Sequence, residues 1–141
     1  IIPYLMLKIV IGSFMILHGL VHLFYSAQSM GMFELQPGMA WPKGSWFFKR
    51  IFNEQKIRRL ATLSCILTAA GFVTGGIAAL LSQVWWEVII TIAAVFSAMI
   101  FIAFWDGQLR NLDDKGGIGI LINIAILIAL HVLNWSDFYN T

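Results

Sequence analysis

Residues 5–27 read Leu-Met-Leu-Lys-Ile-Val-Ile-Gly-Ser-Phe-Met-Ile-Leu-His-Gly-Leu-Val-His-Leu-Phe-Tyr-Ser-Ala, an apolar run broken by two histidines. A membrane helix needs about 20 mostly apolar residues, with a range of roughly 17 to 25, so this run is long enough to cross a bilayer. Lys8, near its start, can reach back to the interface. At about 100° per residue, His18, His22, Tyr25 and Ser29 fall within roughly 60° of one another on the helix surface. An ionisable residue in a span is costly and turns toward a partner, a cavity or a ligand. That stripe is the candidate functional face.

Three further apolar runs follow, at about Leu60 to Leu81, Val88 to Trp105 and Ile118 to Trp135. Only helices or closed barrels satisfy their backbone in lipid, and unbroken runs of this length are not barrel strands. Composition agrees: 60% of the 141 residues are hydrophobic and only 11% are charged, against about 25% charged in an ordinary soluble domain. Mean hydropathy is +0.83. So little charge cannot clothe a core in water. The expected fold is all-α: one domain over residues 1–141, a polytopic bundle of four transmembrane helices. The net charge of +2 is too small and too localised for nucleic acid. The single cysteine, Cys65, cannot form an internal disulfide and reads as a small buried apolar residue.

Lysine and arginine predict the orientation. Lys43, Lys49, Arg50, Lys56, Arg58, Arg59, Arg110 and Lys115 lie in the 1–2 and 3–4 connections, and only Lys8 lies on the other side. Eight against one places both connections in the cytoplasm and both termini outside. Tyr4, Trp85, Trp86 and Trp135 then form one aromatic belt, Tyr25 and Trp105 the other. Ser26-Ala27-Gln28 is a poor cleavage site and no basic cluster precedes the run, so the first span reads as a retained helix rather than a signal peptide.

The connection over residues 28–59 is long. Pro37 and Pro42 keep its first half extended or turned. Ser45 can cap a helix beginning Trp46-Phe47-Phe48-Lys49-Arg50, where aromatic bulk interleaved with basic residues suits the headgroup region. The alternative is a cytoplasmic extension of helix two.

Packing signals are Gly71 and Gly75 at GxxxG spacing, with Ser64 and Thr68 on nearly the same face, a pattern that lets helix backbones approach closely. On helix four, Asn123, His131 and Asn134 share an arc of about 80° that is expected to face inward. Chemical signals are sparser. His18 and His22, four residues apart, can supply two ligands to one metal ion, with Cys65, Asp106 and Glu34 as candidate further ligands. The glutamate of a HExxH motif is missing, since Gly19 follows His18. Haem is disfavoured, because two histidines one turn apart approach from the same side. No metal site is assigned. The expected partners of the stripe are Ser64, Cys65 or Thr68 on helix two, or the Trp105–Asp106 end of helix three.

His18-Gly19-Leu20-Val21-His22-Leu23, in a four-helix chain of this size, resembles the DoxX-like membrane proteins, many of which carry lysine where this chain has His22. Phe33-Glu34-Leu35 with Pro37-Gly38, Trp41-Pro42, Gly44-Ser45-Trp46, Phe104-Trp105-Asp106-Gly107, and Gly117-Ile118-Gly119 with Asn123 are similar to an uncharacterised bacterial branch of such proteins. The resemblance implies a protein of the bacterial inner membrane. Some DoxX-type proteins are subunits of membrane oxidoreductases that pass electrons to quinone. Two functions stand side by side. One is a non-catalytic subunit or scaffold, associating with lipid, other membrane subunits or copies of itself. The other is a quinone- or lipid-binding protein, with a polar pocket of His18, His22, Tyr25, Trp105 and Asp106 serving electron transfer or transport.

Overall fold

The computed structural model describes residues 2–134. Four α-helices run through it: α1 (Ile2–Ser29), α2 (Glu54–Leu80), α3 (Trp86–Ala103) and α4 (Gly117–His131). No strand occurs among the described residues. The first three helices are long and apolar enough to cross a membrane. The fourth differs from expectation. It is apolar but has 15 residues, or about 22 Å at about 1.5 Å per residue, short of a hydrocarbon core about 30 Å thick. Its last turn closes with the N–H groups of Val132 and Leu133 both donating to Ile128 O, at 2.9 and 3.0 Å, and Asn134 follows with φ 48°. Trp135 lies outside the described residues.

Helices α1 and α2 pack along most of their length, and the reason is glycine. A Cβ on Gly76 would stand 2.8 Å from Gly12 O, and one on Gly19 would stand 2.7 Å from Phe72 Cβ. The GxxxG pair serves a different seam: a Cβ on Gly71 would meet Ala93 Cβ at 3.1 Å, and one on Gly75 would meet Ile90 Cδ1 at 2.5 Å. Gly71 and Gly75 thus lie at a contact within the chain, between α2 and α3. On the same helix, buried Thr68 donates to Ser64 O at 2.9 Å rather than bonding across a contact. Large apolar side chains such as Leu17, Leu67, Ile92 and Leu121, each more than half exposed, turn outward, a surface suited to a lipid bilayer.

Neither expectation for the 1–2 connection holds as stated. In place of a full interfacial helix there is one turn of 3-10 helix, Phe48–Arg50. Helix α2 starts afresh at Glu54, capped by Asn53, whose side chain accepts from Lys56 N at 2.9 Å. The connection instead folds onto the end of α3. The last carbonyls of a helix lack intrahelical donors, and two of those of α3 are met here: Ser45 Oγ donates to Ala103 O at 2.6 Å and Trp46 Nε1 to Ile102 O at 2.6 Å, while Trp46 N donates to Trp105 O, just beyond the helix, at 2.7 Å. Ser45 Oγ also accepts from Phe48 N at 3.1 Å, so one hydroxyl caps two elements. Gln28, at the end of α1, holds the same connection by donating to Met39 O at 3.0 Å and accepting from Leu35 N at 3.0 Å.

Candidate functional site

The stripe on α1 splits into three environments. Ser29 donates to Arg58 O at 2.8 Å and accepts from Thr62 Oγ1 at 3.1 Å, tying the end of α1 to the start of α2. Tyr25 is half-buried, its ring edge-on to Phe101 at 4.8 Å and to Trp41 at 5.3 Å. His18 and His22, only 6% and 2% exposed, point into the bundle.

The histidines make no hydrogen bond to Ser64, Cys65 or Thr68. Helix α2 offers them Phe72 instead, whose ring lies 4.7 Å from His18 and 5.6 Å from His22. Their polar partners come from α3 and α4. His18 Nε2 lies 2.9 Å from Asn123 Oδ1, His22 Nε2 lies 2.7 Å from Ser97 Oγ, and Asn123 Nδ2 lies 2.8 Å from the same Ser97 Oγ. His22 Nδ1 lies 3.0 Å from His18 O. Ser97 and Asn123 are fully buried.

The donors can be assigned from these contacts alone. A backbone carbonyl only accepts, so His22 Nδ1 carries a proton and donates to His18 O. In a neutral ring, Nε2 is then an acceptor, and Ser97 must donate to it. Ser97 Oγ accepts from Asn123 Nδ2, and Asn123 Oδ1 accepts from His18 Nε2. The hydrogen bonds therefore run in one sense, from the His18 ring through Asn123, Ser97 and His22 back to the His18 carbonyl. A flipped Asn123 amide would present its oxygen to Ser97 and strand His22 Nε2 without a donor, so only one amide orientation fits neutral rings. His18 Nδ1 is left as an acceptor with no donor among the described residues.

Trp105 and Asp106 are engaged elsewhere. Trp105 Nε1 donates to Gln108 O at 2.8 Å. Asp106 pairs with Lys115 at 3.0 Å and accepts from Gln108 N at 2.9 Å. Desolvation pushes the Asp106 pKa up, but the Gln108 N–H and the Lys115 ammonium outweigh it and hold the carboxyl below its ordinary value. The five residues grouped as a polar pocket therefore occupy separate surroundings: two in the buried ring, Tyr25 in an aromatic cluster, two at the exposed end of α3.

The arc on α4 also divides. Asn123 faces inward, whereas His131 is exposed and bonds Thr91 Oγ1 at 2.9 Å, and Asn134 is exposed. Glu34 accepts from Gly38 N at 3.1 Å within its own turn, and Cys65 is fully buried. Among the described residues no three His, Cys, Asp or Glu side chains gather to hold a metal ion.

Ser97 is the functional-face residue that the sequence reading missed. Depth was the available signal. Ser97 lies six residues before the end of α3, His22 seven before the end of α1, and Asn123 six after the start of α4. At about 1.5 Å per residue, all three lie roughly 9–10 Å from the same end of the bundle.

Two apolar crevices flank this core. One, of about 320 Å3, opens between α1 and α4 and includes Phe14, which stacks parallel to His18 at 6.0 Å. The other, of about 430 Å3, lies between α3 and α4 beside Trp105 and Lys115. Comparison with protein-family models, curated proteins and solved structures finds no match to this chain.

Proposed function

We propose that this chain is a small integral membrane protein acting as a non-catalytic subunit or scaffold, with a place in a membrane redox assembly. The observation that carries the reading is the closed hydrogen-bond ring of His18, Asn123, Ser97 and His22. It commits two histidines, a serine and an asparagine of the core to linking α1, α3 and α4. Partnered buried polar groups favour one packing, and in this ring only His18 Nδ1 lacks a donor among the described residues. The redox context rests on the resemblance to DoxX-like proteins. Four membrane passes, a bacterial inner-membrane location, both termini outside and cytoplasmic 1–2 and 3–4 connections belong to the same proposal, supported by the eight-to-one basic asymmetry.

A second reading, quinone or lipid binding, is favoured by one observation: the α1–α4 crevice includes Phe14, which stacks on His18, whose Nδ1 lone pair has no donor. A neutral imidazole there can accept a hydrogen bond from a quinol or a headgroup. One experiment separates the two. Purify the chain and its His22→Ala variant from native membranes in mild detergent, then measure melting, co-purifying proteins and extractable quinone. The scaffold reading expects a lower Tm for the variant, an unchanged set of partner proteins and no stoichiometric quinone. Quinone present in the parent and lost from a folded variant overturns it in favour of the second reading. A reporter fused after Thr141 that works only in the cytoplasm overturns the topology.

A further inference from the structure

At the loop end of the bundle the two long connections face each other across a polar cavity of about 180 Å3. Its walls include Trp41 and Lys43 from the 1–2 connection and Asp106, Arg110, Asp114 and Lys115 from the 3–4 connection. Liquid water takes about 30 Å3 per molecule, so the space holds roughly six waters or one tetrahedral oxyanion.

Its charges are unevenly committed. Lys115 is held by Asp106 at 3.0 Å. Lys43 and Arg110 line the same cavity, and neither side chain has an ion-pair partner among the described residues. One further carboxylate, Asp114, stands against those two cations. Trp41 adds a third unmet demand. It is 5% exposed, and its Nε1–H is the buried side-chain polar group that has no hydrogen-bond partner among the described residues. Ammonium, guanidinium and indole groups donate and cannot accept. Three donor-bearing side chains thus line one small space, in which Asp114 is the carboxylate without an ion-pair partner among the described residues, beside the amides of Gln108 and Asn111. An acceptor-rich anion answers that deficit, and the planar guanidinium fork of Arg110 suits two oxygens of a phosphate.

We propose that this cavity binds a phosphate-class oxyanion, free or as the headgroup of an anionic phospholipid, with Arg110 and Lys43 as its cationic contacts and Trp41 as a neutral donor. The site stands apart from the buried histidine ring and does not depend on the scaffold reading.

The test uses the full chain. Inorganic phosphate is titrated calorimetrically against the protein in zwitterionic detergent. In parallel, native mass spectrometry compares retention of phosphatidylglycerol and phosphatidylcholine after release from mixed nanodiscs. The parent is expected to bind phosphate, to retain phosphatidylglycerol preferentially, or both. K43Q/R110Q should weaken that binding at least tenfold and W41F several-fold. K49Q/R50Q, which removes two exposed basic residues outside the cavity, should leave it unchanged. Phosphate binding without lipid preference assigns a free ion, and lipid preference without phosphate binding assigns a headgroup. If W41F fails to fold, K43Q/R110Q carries the test, because Lys43 and Arg110 are exposed. Absence of both kinds of binding in the parent, binding by K43Q/R110Q equal to the parent, or an equal loss in K49Q/R50Q overturns the proposal.

Discussion

Helix α1 meets its two neighbours in opposite ways. Against α2 it closes backbone to backbone, with Gly12 and Gly76 each leaving room for the carbonyl of the other. Against α4 it stands apart: an apolar crevice of about 320 Å3 opens between them, and the His18–Asn123 bond bridges the gap. The first seam is shape, with dispersion summed over many small contacts. The second is chemistry, one hydrogen bond in a ring of four side chains. Shape tolerates no added atoms, whereas a polar link tolerates bulk nearby but not the loss of a partner.

The glycine seam gives the largest expected effect. A side chain at Gly76 pushes against Gly12 O at 2.8 Å, and backbone cannot step aside. At Gly71 the neighbour is Ala93 Cβ at 3.1 Å, which a small helix shift relieves. Gly76→Ala should therefore cost about 3 kcal/mol, at the upper end for overpacking, and Gly71→Ala about 1 kcal/mol or less. Unfolding in mixed micelles measures both. Equal losses would show that the α1–α2 seam is no tighter than the α2–α3 seam.

The polar seam comes next. Asn123→Ala removes the acceptor of His18 Nε2 and the donor to Ser97 Oγ. Unpaired buried groups cost about 1–3 kcal/mol, while hydrogen bonds between membrane helices average about 0.6 kcal/mol, because the loosened state finds other partners. A loss of about 1–2 kcal/mol is expected. Its distribution matters more than its size: amide exchange should rise across α4 and stay unchanged in α1 and α2 around Gly12 and Gly76. Faster exchange throughout all four helices would mean that the ring supports the whole bundle and that the two seams are not independent.

This contrast also marks how far the sequence could be read. Hydropathy located the four apolar helices, three of them long enough to cross a membrane, but it over-extended α4, whose helix ends at His131. GxxxG spacing drew attention to Gly71 and Gly75 and away from Gly12, Gly19 and Gly76, where α1 and α2 approach most closely. Those three follow no short motif; they become a seam only once two helices are aligned. Periodicity put His18 and His22 on one face of α1, and helical geometry guarantees that much. It could not say which helix that face meets. Ser97 looks like any small residue in Ala-Val-Phe-Ser-Ala until depth is matched across helices. The role of Ser45 was half visible: the cap on Phe48 N is local, while the bond to Ala103 O joins residues 58 apart in sequence.

The smallest expected effect lies at the loop end, where neither seam is involved. Asp106 pairs with Lys115 across the 3–4 connection, with side chains 27% and 14% exposed. Because the Asp106 pKa is lowered in the folded state, the folded chain holds fewer protons than the unfolded chain near the ordinary carboxylate pKa. Stability from this pair is then complete above about pH 4, where the unfolded carboxyl is ionised, and is lost as pH falls through the lower folded value. Asp106→Asn should cost about 0.5 kcal/mol at neutral pH, in the range of partly exposed ion pairs. The gap between parent and variant should close as the pH is taken below about 4. Melts of both proteins across that range measure it, and added salt should shrink the neutral-pH gap. A gap that instead widens in acid would mean that burial, not Lys115, governs Asp106. The 3–4 connection would then owe nothing to the Asp106–Lys115 charge pair.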